Sequence, residues 1–134
     1  MPRYLLLKHY RGGHEQDFAP MSEWSEDDIT AHIAFQRHVG ELLRERGEYV
    51  DAQVLSPGGS YVRYGGPGKA PVTDGPFPET KELAAGWFMI DVESQARAHE
   101  VAAYVSSAPG KDGQPIYEWI ELRPVMGDAP AAVE

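Results

Sequence analysis

The chain of 134 residues is long enough to bury one core and short for two, and at 42% apolar and 25% charged residues it has the composition of a folded globular domain. Its 21 acidic against 12 basic side chains give a net charge of -9, which repels a nucleic-acid backbone or an anionic membrane. The absence of cysteine excludes disulfides, thiolate nucleophiles and zinc-thiolate sites. The apolar run "YLLL" falls far short of the roughly 20 residues of a membrane span, and no signal-peptide core follows Arg3, so a cytoplasmic location is expected.

"RYLLLKHY", residues 3 to 10, is short, aliphatic and aromatic and is followed by "RGG", the pattern of a buried strand. A turn-rich loop through "GGHEQDFAPMSEW" comes next. Ser25 with Asp28 three residues later marks a helix start, reinforced by Glu26 and Asp27 at the positive end of the dipole. Ile29, Ile33, Gln36, Val39, Leu42 and Leu43 recur at helical spacing, and Gly47 stops the helix near Arg46.

Tyr49 to Leu55 and Tyr61 to Tyr64, separated by "SPGGS", suggest a hairpin, and "GGPGKAP" forces a second loop. "VTDGP" carries turn chemistry: Asp74 can bond to the backbone ahead, Gly75 admits positive φ and Pro76 fixes the exit. Gly86 to Val92 then alternates Phe88, Ile90 and Val92 with Trp87 and Met89, a strand covered on both faces. Ser94 caps a second helix with Ala98, Val101, Ala102 and Val105 on one face, and "SSAPG" ends it. Ile116 to Leu122 reads as the last strand, closed by Pro124. Residues 1 to 125 form one domain and 126 to 134 a tail.

This order is the βαββαβ split unit of a ferredoxin-like α+β fold, with two helices on one face of an antiparallel sheet. The other face also carries large apolar groups, so a homodimer with sheets packed together is expected.

"TDGPFPETKE" followed by "GWFMIDVES", together with "YLLLKHY", "AHIAFQRHVGELLRERGEYV" and "EWIELRPV" in the same order, resembles the DGPF type of the YCII-related family from residue 3 to 125. The resemblance implies a dimeric α+β barrel. Pro78 stands where that family usually has Ala, and the loop after the first strand is longer than usual. The resemblance also implies an acid-base His/Asp pair, and it permits a regulatory role beside a sigma factor of the extracytoplasmic type.

His32 falls within the apolar arc of the first helix at about 100° per residue, whereas His38 lies outside it. An imidazole facing the sheet can act as acid, base or hydrogen-bond donor, which makes His32 the first catalytic candidate and Asp74 its expected partner, with a core histidine hydrogen-bonded to backbone or to a carboxylate as the structural alternative. Arg63, alone among Tyr61, Val62 and Tyr64, suits the carboxylate of a small anionic metabolite, with an ion pair to an acid such as Glu118 as the structural alternative. Tyr61 and Trp87 are expected to line that pocket. His9 shares a strand face with Leu5 and Leu7, opposite Tyr4, Leu6 and Lys8, and is a second-rank candidate for the same interior. Glu79, Lys81 and Glu82 read as a solvated face.

No cofactor is required by this scheme. "YGGPGKAP" departs from a phosphate loop at Arg63 and Ala70, where Gly and Ser or Thr are needed. No pair of histidines has the spacing of helical zinc ligands, and His9, His14 and His99 sit on separate elements. An enzyme acting on a small anionic molecule, a non-catalytic dimeric binding module and a dimeric scaffold with a vestigial pocket all fit this sequence.

Overall fold

The computed structural model describes residues 2–11, 16–76 and 83–127. Phe77, Pro78, Glu79, Lys81, Glu82, His14 and most of the expected tail lie outside them. Among the described residues six strands and two helices run in the order β1 (Arg3–Arg11), α1 (Glu26–Glu45), β2 (Tyr49–Val54), β3 (Ser60–Arg63), β4 (Val72–Pro76), β5 (Leu83–Asp91), α2 (Gln95–Ser106) and β6 (Glu121–Pro124). Short 3-10 turns at Met21–Glu23 and Lys111–Gly113 precede α1 and follow α2.

Both helices begin where the sequence places their caps. Ser25 and Asp28 bond each other's backbone N–H in a full capping box, and Ser94 Oγ accepts from Arg97 N. Gly47, at φ 69°, takes the left-handed turn that ends α1. No helix among the described residues is long and apolar enough to cross a membrane.

The main sheet has the order β2-β5-β1-β6, antiparallel throughout. With α1 and α2 both packed on one face, this is the ferredoxin-like α+β arrangement. Tyr4, Leu6, Phe88 and Ile90 from the sheet meet Val39 and Leu43 of α1 and Ala98, Val101 and Val105 of α2 in one core. Burial of these apolar side chains, at about 1.5–3 kcal/mol each, holds the two layers together. On the opposite face Leu5, Leu7, Trp87 and Met89 remain partly accessible.

Three expectations need correction. β3 pairs with β4 in a separate two-stranded sheet, while β2 pairs with β5, so residues 49 to 64 are not a hairpin. The reason is the loop between β3 and β4: Gly66 and Gly68, at φ 108° and 72°, close it and bring Val62 opposite Thr73. Asp74 and Gly75 therefore belong to a strand and not to a turn. Lastly, residues 116 to 120 are not strand. Tyr117 sits at φ 48°, Ile116 N bonds the Ala108 carbonyl, and extended pairing begins only at Glu121.

Candidate functional site

Strand alternation puts Lys8 on the same face of β1 as Tyr4 and Leu6, turned toward α1. A charge on that face must find partners, because desolvating an unpaired ammonium is costly. Its Nζ lies 3.1 Å from Nε2 of His32 and 3.1 Å from Oε2 of Glu118. His32 is buried on the inner arc of α1, as its helical phase predicts, and Glu118 is buried in the irregular segment ahead of β6. Three ionisable groups of different kinds thus converge between the first strand, the first helix and the last crossing of the chain.

The tautomer of His32 follows from its partners. Nδ1 lies 2.9 Å from the carbonyl oxygen of Pro109, which can only accept, so Nδ1 carries the proton and donates it. Nε2 is then the lone-pair nitrogen and accepts from the Lys8 ammonium. Gln36, one turn along α1, has its Nε2 3.5 Å from the same nitrogen and is a weaker second donor. The edge of Trp24 closes another side, with ring centroids 5.3 Å apart.

Electrostatics keep this imidazole neutral. Burial lowers its proton affinity, the Lys8 charge lowers it further, and only the bond to Pro109 opposes them. Glu118 moves the other way: burial raises its pKa and Lys8 partly offsets the rise. Its contact with Lys8 is an ion contact without the alignment of a hydrogen bond at Oε2. A base whose lone pair accepts from a cation, that cation and a carboxyl of raised pKa therefore converge, a combination suited to proton transfer.

The backbone that carries Pro109 is held by close packing. A Cβ on Gly110 would meet Ile116 and come within 2.9 Å of the Trp24 ring, so only glycine lets this loop lie against both. Trp24 Nε1 is satisfied by the Ala19 carbonyl at 2.8 Å.

The remaining sequence candidates lie elsewhere. Asp74 is exposed on β4. Both ring nitrogens of His32 are engaged by Pro109 and Lys8, so the two expected partners are not brought together. Arg63 and Tyr61 are exposed on β3. Glu118, considered for Arg63, instead faces Lys8. Trp87 is partly buried on the open face, opposite Leu7.

His9 does not line the interior of His32. It occupies the open face and meets Glu121 Oε1 at 2.8 Å, because Lys8 takes the inward position and its neighbour must point away. Among the described residues no group of three or more His, Asp or Glu side chains is placed to hold a metal.

A family model for the YCII-related domain matches residues 3–119. The chain belongs to the YCII-related family. No curated protein matches it at a significant level. In this YCII-related chain the matched span takes in α1 with His32, β1 with Lys8, and Glu118. Sequence reading missed the last two, yet a signal was present: Lys8 alternates with Leu6, and Glu118 with Ile116 and Ile120, so each places a charge at an interior position.

Proposed function

We propose that the protein is a cofactor-independent enzyme acting on a small molecule by proton transfer, with His32 as the acid-base group. The observation that carries the reading is the bonding of the ring. Its tautomer is fixed by Pro109, and its lone pair accepts from the Lys8 ammonium. In the neutral form, once a substrate takes over the Lys8 contact, the nitrogen can accept a proton from carbon or oxygen, and the ammonium beside it stabilises the negative charge left behind. An anionic or anion-forming metabolite suits that cation. Asp74 is not needed for this step, since its place at the ring is taken.

The enzyme is proposed to work as a homodimer, supported by the apolar side chains on the open sheet face. A second reading, a non-catalytic dimeric binding or regulatory module partnered by a sigma factor, draws on the outward side chains of the β3–β4 hairpin, where Val62 is 62% and Tyr64 74% exposed.

A thermal-shift screen against small carboxylates and carbonyl compounds separates the two. A ligand at about one hundred times its Kd adds about 2.7 kcal/mol to the native state. Stabilisation of wild type that is lost in His32→Gln is expected. A panel that stabilises neither protein, or both equally, overturns the enzyme reading.

A further inference from the structure

Glu118 does not touch His32, and Lys8 touches both. The ammonium lies 3.1 Å from the imidazole lone pair on one side and 3.1 Å from the carboxyl on the other. The side chain of Glu118 is only 4% exposed and that of Lys8 15%, so water screens neither contact well. Ser106 Oγ donates to the Glu118 carbonyl at 2.6 Å, fixing the backbone from which the carboxyl projects. We propose that Glu118 is a positioning residue that governs the protonation of His32 through Lys8, making carboxylate, ammonium and imidazole a three-group relay. The proposal rests on the reading of His32 as the acid-base group and assigns its regulation to two residues that the helix pattern does not reveal.

The physical basis is the sign of each neighbour. A cation beside Nε2 opposes a second positive charge on the ring. An ionised Glu118 cancels part of that field and holds the ammonium in line, so loss of the carboxylate exposes the ring to the full Lys8 charge. When Glu118 takes up a proton, His32 should give its own up more readily. The other charged groups near this end of α1 are Asp28, one turn before His32 and half-buried, with the Lys111 charge and the Asp112 backbone from the loop after α2 acting on it. Lys8 from β1 meets the buried side of the ring, and Glu118 from the last crossing stands behind Lys8.

The test is an NMR titration of the His32 ring C–H signals in the full chain, assigned by their absence in His32→Gln. Glu118→Gln should lower the protonation midpoint of His32, with a roughly threefold or larger change in its protonation constant. Lys8→Met should move it in the opposite direction. In the double variant the Glu118→Gln effect should vanish, since its intermediary is gone. Lys8→Arg keeps the charge and serves if Lys8→Met does not fold; there the midpoint should stay close to wild type.

An unchanged midpoint in Glu118→Gln, or an equal shift with and without Lys8, overturns the relay. No substrate enters this titration, so a relay found in a protein that binds no metabolite would sink the enzyme reading alone. A ligand lost in His32→Gln without any coupling to Glu118 would sink the relay alone.

Discussion

Burial and the Lys8 charge hold the proton affinity of His32 below its solution value, and that has a consequence for stability. Its folded proton affinity lies below the ordinary value of 6.5, so the unfolded chain binds the proton more readily and stability falls as pH drops through 6.5. Glu118 has the opposite sign. Its carboxyl is raised above 4.5, so the folded chain keeps a proton that the unfolded chain releases, and stability falls as pH rises from 4.5 through the raised value. Urea unfolding at a series of pH values should show a flatter acid limb in His32→Gln. The fall above 4.5 should flatten in Glu118→Gln. An unchanged pH dependence in both variants would contradict these environments.

Two joints between elements decide whether the site keeps its shape. The loop after α2 reaches Trp24 so closely that Gly110→Ala must displace either the indole or Ile116, a strain of about 1–3 kcal/mol. Its melting point should fall, and the His32 ring signal should shift as Pro109 moves with the loop. The second joint is Glu48, buried just past α1, which receives Arg97 Nε and Nη2 of α2 at 2.9 and 2.8 Å and Arg46 Nε at 3.1 Å. The Arg97 bonds above all hold its carboxyl below the usual range. Arg97→Met leaves a buried carboxylate with one partner and should cost about 2 kcal/mol in chemical denaturation, while the His32 titration stays as in wild type. Helix boundaries were readable because caps and the apolar stripe act locally. The joints were not, because Gly110 meets Trp24 and Glu48 meets Arg97 only after the chain has folded.

At the scale of the molecule, one face of the sheet is covered by helices and the other presents Leu5, Leu7, Trp87 and Met89. This is the face on which the proposed dimer would pack, and a stable interface needs roughly 800 Å² per partner. Sedimentation should give twice the chain mass. Trp87→Lys should give a folded monomer by circular dichroism, and a wild-type monomer would overturn the proposed dimer. The β3–β4 hairpin stands apart as a second sheet, with β3 exposed along its length.

The sequence by itself determined the α+β class, both helices with their caps, the inward phase of His32 and the YCII-related family, because periodicity, capping and motif order are properties of neighbouring residues. Tertiary structure alone decided that β3 pairs with β4, that His9 faces away from His32, and that Lys8, paired with Glu118, and not Asp74, attends the imidazole. Those are contacts between residues far apart in the chain. Their selection depends on which groups the packed layers bring within hydrogen-bond reach and on the cost of leaving a buried charge unmatched.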